Sequence, residues 1–306
     1  MLWAKRVRPQ CSSRKAWLLI CACACAGLGC LWLGPSRAWA HADLLLQIEE
    51  ITKEIAQKPN SAELYLRRGE LRRAHFEWDE ALADYQRAET LSPSLVVVEL
   101  MRARVCLDSG WPLAARAYVD RFLRHQTNNP EAYITRARTY QRLQLRLSAA
   151  DDYDRAINLS RESGPDLFIE RAQVLALEGR EYFGRALQGL DDGIRTLGPL
   201  VVLQLFAIDI ELKSQNFDGA LTRLDRVAER SPRKESWLSR KGEILKQAGR
   251  LAEANQSYRD ALAALQTLPP VRRNVPAIVE LEKRIRHEIE ATATAPPPRA
   301  PAPAAP

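Results

Sequence analysis

An all-α solenoid is the fold class this sequence predicts, and three observations predict it. Apolar residues keep helical spacing throughout the chain beyond residue 40, with no alternating strand pattern and no β-branched run between turn signals. Similar segments recur at a nearly constant interval. Laid over the chain, Ala62-Glu63-Leu64-Tyr65 finds comparable starts at Val96, Pro130, Pro165, Val201 and Glu235, in steps of 34, 34, 35, 36 and 34 residues. Unmatched amphipathic stripes stand before and after these segments, as the ends of a stacked array require.

Residues 1–40 read as an address. A basic stretch to Lys15 precedes an apolar run of 19 residues, Ala16 to Gly34, and the small-x-small triplet Ala38-Trp39-Ala40 closes the segment. The expectation is a secretory signal cleaved before His41. The run is also long enough to remain as an uncleaved anchor, and Gly27-Leu28-Gly29-Cys30 offers lipidation at Cys30 as a third outcome. With the Lys and Arg cluster held inside, everything after residue 40 faces outward. The expected location is therefore outside the cytoplasm, in a bacterial periplasm or membrane-anchored and outward-facing.

The same segment explains the net charge of +7. Lys5, Arg6, Arg8, Arg14, Lys15 and Arg37 face no acid there, and beyond residue 40 basic and acidic groups nearly balance. Phosphate binding needs a basic surplus, so nucleic acid is not expected as a partner. Five of the six cysteines also precede residue 41. Cys106 alone follows, which excludes an internal disulfide framework in a cleaved chain and reads as a small core residue.

Residues 41–59 predict a capping helix, with Leu44, Ile48, Ile51 and Ile55 on one face, Asp43 as N-cap and Pro59 beyond its end. Six units follow over residues 62–268. The first carries Tyr65, Gly69, Ala81, Tyr85, Ala88 and Pro93, and the third Tyr133, Ala137, Tyr140, Ala149, Tyr153 and Ala156. The sixth has Gly242, Gly249, Ala254, Tyr258 and Ala261. The second keeps Ala103, Gly110 and Ala115 but has Val119 and Phe122 in place of the aromatic and small residues. The fourth keeps Ala172 and Gly179 and inserts about two residues around Glu181 to Gly184 before Ala186. The fifth diverges most, held by Ala220, Leu224 and Pro232.

These residues resemble the tetratricopeptide repeat family, whose signature is a small residue midway through a first helix, then Ala, an aromatic and Ala in a second. The resemblance implies a right-handed solenoid of about six helix-turn-helix units with a capping helix at each end. Its physical basis is close packing: axes about 8 to 10 Å apart leave room for only small side chains at Gly69, Ala81 and Ala88, and aromatic residues fill the wider gaps. Residues 271–290 predict the C-terminal capping helix, with Ile278, Leu281, Ile285 and Ile289 on one face, Glu282, Lys283, Arg286 and Glu290 opposite, and Pro276 in a first turn. Residues 291–306, made of Ala, Pro and Thr with one Arg, predict a disordered tail.

No catalytic constellation is visible, so no enzyme is expected. His75, His125 and His287 are far apart without metal-ligand spacing, and a copper site at His41 would need a second histidine beside it. No metal or cofactor is expected. The acidic pairs Asp151-Asp152 and Asp191-Asp192 read as helix-dipole partners on a solvated face.

In the resembled family the first helices of successive units line a concave face where ligands lie. The matching row here is Glu70, Arg104, Arg138, Gln173, Asp209 and Glu243, with Arg73, Arg142, Lys213 and Lys246 nearby. Arg73, Arg104, Arg138 and Arg142 are the candidate partner-binding residues, for an acidic peptide or a chain-terminal carboxylate. The competing reading pairs them internally, as Glu70 with Arg104 across adjacent units. The resemblance implies a protein- or peptide-binding scaffold or assembly factor. The alternatives are a non-catalytic subunit of an envelope enzyme or transport complex, or a glycan-binding envelope protein using Trp78, Trp111 and Trp237.

Overall fold

The computed structural model describes the backbone of residues 36–294 and the side chains of residues 43–293. The described residues form helices and turns without strands. A first helix, α1 (Ser36–Gln57), precedes six helix pairs. The pairs are α2 (Ala62–Ala74) with α3 (Trp78–Leu91), α4 (Val97–Asp108) with α5 (Pro112–His125), and α6 (Pro130–Arg142) with α7 (Arg146–Leu159). They continue with α8 (Pro165–Glu178) and α9 (Phe183–Leu197), α10 (Val201–Lys213) and α11 (Phe217–Arg230), and α12 (Glu235–Gln247) and α13 (Leu251–Gln266). The short α14 (Pro270–Arg273) leads to α15 (Pro276–Thr294), which packs on α13. Each helix of the array touches the next in order, and first helices of neighbouring units also meet. This is an α-solenoid of stacked helix pairs.

Local chemistry sets where helices begin and turn. Pro112, Pro130, Pro165 and Pro270 occupy first turns, where a missing N–H leaves no hydrogen bond unmade. The Asn129 side chain accepts from Ala132 N at 3.0 Å and caps α6. Between the two helices of a pair, one residue takes a left-handed backbone, fourteen positions after the unit start. It is Phe76 (φ 67°), Gly110 (83°), Gln144 (60°), Gln215 (63°) and Gly249 (75°) in units one, two, three, five and six. The fourth unit instead spends its extra residues on a 3-10 turn, Arg180–Tyr182, which accounts for the insertion read there.

Size-matching across each pair explains why some units look divergent. Tyr85, Tyr153 and Tyr258 are fully buried on second helices. In units one and six the facing residue is glycine, and a Cβ on Gly69 or Gly242 would overlap the ring of Tyr85 or Tyr258. Elsewhere the equivalent residues are Ala103 with Val119, Ala137 with Tyr153, Ala172 with Leu190, and Ile208 with Leu224, all buried. A small residue on the first helix accompanies a larger one opposite in five units, and the fifth replaces both signature residues with two branched side chains of equal volume.

Several boundaries differ from the sequence expectation. The second unit's first helix starts at Val97, with Val96 outside it. Asp43 does not cap: α1 begins at Ser36 and Asp43 lies within it. The C-terminal helix runs past residue 290 to Thr294, because buried Thr292 bonds Glu288 O and receives Asn255 Nδ2 at 2.8 Å, tying the last turn to α13. The tail expectation therefore holds no ground over residues 291–294, and residues 295–306 lie outside the described residues. So do residues 1–35 of the address and the side chain of His41.

Candidate functional site

Regular spacing puts Glu70, Arg104, Arg138, Gln173, Asp209 and Glu243 at equivalent places on the six first helices. In the first half this row is a ladder of charge pairs. Glu70 accepts from the buried Tyr85 hydroxyl at 2.5 Å and from Arg73 Nε at 3.3 Å, and Arg104 Nη1 lies 3.8 Å from it. Arg104 also reaches Glu131 at 3.1 Å, and Arg73 reaches Asp108 at 2.5 Å. Arg138 grips Glu170 with two nitrogens, at 3.0 and 2.8 Å, and Glu170 accepts the Tyr153 hydroxyl at 2.5 Å.

The electrostatics follow from these contacts. Burial and the Glu70 carboxylate push the Tyr85 phenol far above its ordinary value, and burial with Glu170 does the same to Tyr153, so both stay protonated donors. Burial works against charge on Glu170, but the Arg138 guanidinium and the Tyr153 hydroxyl outweigh it and hold the carboxyl below the usual range. Arg138 is raised in turn, chiefly by its bond to Glu170.

The structure thus brings Arg73 and Arg104 to one carboxylate, and Arg138 to another. Arg142 is exposed and makes no ion pair or hydrogen bond among the described residues. It shares with Arg138 a shallow cavity of about 330 Å³, also lined by Gln141, Glu170 and Gln173. Internal pairing of Glu70 with Arg104, weighed above as the competing reading, is present.

A second layer of pairs lies deeper. Asp84 is buried between Arg68, at 2.6 Å, and Arg72, at 2.8 Å. Two units on, Asp152 is bridged by Arg136 at 2.6 Å and Arg155 at 3.2 Å. Asp152, read from sequence as facing solvent, is 2% exposed. The correction has a simple cause: it sits on the inner side of α7, and a buried carboxylate must be paired to stay charged. Asp151 and Asp191 are likewise taken up, by Arg185 at 2.8 Å and Arg223 at 2.7 Å.

Sequence reasoning, searching for charges, missed an apolar stretch in the second half of the row. Leu177 on α8 and Val202 and Leu205 on α10 are 64%, 48% and 38% exposed, on the stripes that carry Gln173 and Asp209. The signal was readable: α10 is apolar round its whole circumference, more than burial of one face needs. Of the tryptophans, Trp111 is largely exposed, and Trp78 and Trp237 pack against the core. Cys106 is a buried free thiol whose pKa is raised by burial. Among the described residues no cluster with metal-ligand geometry occurs, and no helix is long and apolar enough to cross a membrane.

Residues 207–269, from within α10 to just beyond α13, match the family model for the tetratricopeptide repeat. That stretch carries the tetratricopeptide repeat, and the rest of the described chain stacks helix pairs in the same phase. No curated protein matches it significantly. Among solved structures, it is similar to a tetratricopeptide repeat protein from Parabacteroides merdae ATCC 43184, at 17% identity over 82% of this chain and 97% of that one, with a TM-score of 0.47. It is similar to Pseudomonas aeruginosa PilF at 14% identity over 73% of this chain and 97% of that one, TM-score 0.47. YrrB, described as a tetratricopeptide-repeat protein with an unusual peptide-binding site, is 16% identical over 78% of this chain and 99% of that one, TM-score 0.41. Likeness at this level says nothing of this repeat protein's partners.

Proposed function

We propose that this tetratricopeptide-repeat chain holds another protein or peptide along the face of its first helices, as a scaffold or assembly factor outside the cytoplasm. The observation that carries the reading is the composition of that face. Arg142 is exposed beside the Arg138–Glu170 pair, and along the row Leu177, Val202 and Leu205 leave apolar surface uncovered. Apolar anchors beside a charged rim are what a peptide groove needs: the first supply area to bury, the second sets orientation. Arg73, Arg104 and Arg138 take part through the outer edges of groups already paired, so they steer and position a guest. No catalytic step is assigned to the face.

The export reading rests on residues 1–40 alone: a basic run, an apolar run and Ala38-Trp39-Ala40. It places the repeat array in the periplasm, or facing outward on an uncleaved segment. Cell fractionation with N-terminal sequencing tests it; recovery in the cytoplasm would end it. A glycan-binding reading keeps one observation in its favour, the exposed Trp111.

Capture from an envelope extract tests the binding reading. Charge reversal at Arg104 or Arg138 would also break internal pairs, so the informative variants are Arg142→Glu and Leu205→Glu, whose side chains are exposed and make no ion pair among the described residues. The expected result is a protein retained by the parent and lost by both variants. Equal retention by all three would refute the assignment to this face, and retention only on polysaccharide resin would favour the glycan reading.

A further inference from the structure

Three tyrosines occupy the same place in their units, and two of them share one device. Tyr85 donates to Glu70 and Tyr153 to Glu170, each at 2.5 Å, and each accepting carboxylate is also approached by arginine, Arg73 and Arg104 in one case and Arg138 in the other. Tyr258 is the third, 1% exposed, and its hydroxyl has no hydrogen-bond partner among the described residues. A buried donor left unmade is costly, so the exception asks for a reason.

Neither carboxylate near the Tyr258 hydroxyl accepts from it. Glu243 stands where Glu70 stands in the first unit, yet it bonds Arg240 at 2.8 Å. Arg67, at the place matching Arg240, turns instead to Glu54 at 3.9 Å, which leaves Glu70 to its tyrosine. Glu288, the other carboxylate close to the Tyr258 hydroxyl, is held by Lys246 at 2.6 Å. Burial and the fields of Glu288 and Glu243 raise the Tyr258 phenol, which keeps it a proton donor.

Beside the hydroxyl lies a cavity of about 280 Å³ between α12, α13 and α15. The last helix stands where the first helix of a further unit would stand, and it begins with Pro276 as α6 begins with Pro130. Counted from those prolines, Arg284 is at the place of Arg138, and so of Arg104, which meets the carboxylate of Tyr85. Among the described residues Arg284 makes no ion pair, nor do its neighbours in the cavity Lys283, His287 and Glu280. The lining sets Lys283 and Arg284 against Glu243, Glu280 and Glu288; Arg240 holds Glu243 and Lys246 holds Glu288, which leaves two cations and one anion without an ion pair among the described residues. A second cavity of about 620 Å³ adjoins through Ser239, Glu243 and Arg284 and adds Arg272, so the approach is basic as well. The donor and the guanidinium are in place and the acceptor is missing.

We propose that this cavity is a binding place of its own, taking the carboxylate of a peptide guest, which accepts from the Tyr258 hydroxyl and from Arg284 with Lys283 and His287 flanking. It completes for the last unit, with a guest's group, the contact that Glu70 and Glu170 make internally. The cavity shares Glu243 with the row on the first helices but is lined by none of Arg73, Arg104, Arg138, Arg142, Leu177, Val202 and Leu205, so each reading can fail while the other stands. The carboxylate can be a chain end or an acidic side chain.

The test follows the ring carbon that bears the hydroxyl, by NMR of the full chain labelled with ¹³Cζ-tyrosine; the signal absent from Tyr258→Phe identifies Tyr258. The probes are N-acetylglycine for a chain end, N-acetylglutamic acid α-amide for a side chain, and N-acetylglycinamide without a carboxylate. A saturable shift of the Tyr258 signal is expected with a carboxylate probe and none with the amide, the tighter of the two carboxylates naming the source. Arg284→Gln should weaken binding by about tenfold or more, as loss of a charge-assisted bond does. No saturable shift, an equal response to the amide, or unchanged binding in Arg284→Gln would overturn the proposal. One further measurement separates it from an internal explanation. Tyr258→Phe should leave the thermal midpoint unmoved where Tyr85→Phe lowers it, and an equal loss in both would show that Glu243 turns to serve Tyr258, which also overturns it.

Discussion

Gly242→Ala tests the packing rule on which the solenoid rests. A Cβ added at residue 242 would lie 2.6 Å from Tyr258 Cε1 and 2.8 Å from Cδ1 and Cζ, well inside an ordinary carbon contact. Tyr258 is fully buried, so its ring can yield only by giving up packing against its neighbours and moving toward the adjoining cavity. Overpacking of this kind costs about 1 to 3 kcal/mol, whereas alanine gains about 1 kcal/mol over glycine inside a helix. The net expectation is a loss of about 1 to 2 kcal/mol, which at about 2 to 4 °C per kcal/mol for a chain of this size is a clear drop in the thermal midpoint. The double variant Gly242→Ala, Tyr258→Leu imitates the Ala172 and Leu190 pair of the fourth unit and should recover much of it, because the lost hydroxyl had no partner. A Gly242→Ala protein as stable as the parent, or a double variant weaker than the sum of both single changes, would refute size-matching as the reason for this glycine.

Further expectations can be checked on the same purified chain. Gln144 holds a left-handed backbone at φ 60°, so Gln144→Gly should raise the melting midpoint by relieving about 1 kcal/mol of strain, while Gly110→Ala, at φ 83°, should lower it by a similar amount. Replacing Asp84 by Asn strips the charge that Arg68 and Arg72 share in a buried setting and should cost about 3 kcal/mol, read as a shifted urea midpoint with an unchanged slope. For Glu170 the carboxyl is held below its unfolded value, so its contribution is complete above the ordinary carboxylate range and is lost as pH falls through the lowered folded value. Stability measured against pH should accordingly fall less steeply in acid for Glu170→Gln than for the parent; parallel acid limbs would contradict the pairing with Arg138 and Tyr153.

Repetition made much of the fold legible. A step of about 34 residues, a small residue midway through five of the six first helices and an aromatic in three of the second helices placed the helix pairs closely, because stacking units share one steric problem. The ends were less readable. Thr292 belongs to α15 only because Asn255, 37 residues earlier, reaches it, and no local pattern in an Ala-Thr stretch announces that contact. For the charged row the sequence left a binding face and internal pairing both open, naming only Glu70 with Arg104 as a pair. Arg138 finding Glu170, and Arg73 finding Asp108, are pairings across 32 and 35 residues that depend on how one unit leans on the next.

By itself the sequence determined the class of fold and the phase of its units, since each depends on local spacing and side-chain size. Tertiary structure alone decided which charges are used up and which remain: it buried Asp152, paired Arg104 with Glu70, and left Arg142, Arg284 and the Tyr258 hydroxyl without partners among the described residues. The physical reason is that a charge or a hydroxyl is characterised by what lies within about 3 Å of it, and in a stacked array those neighbours come from another helix.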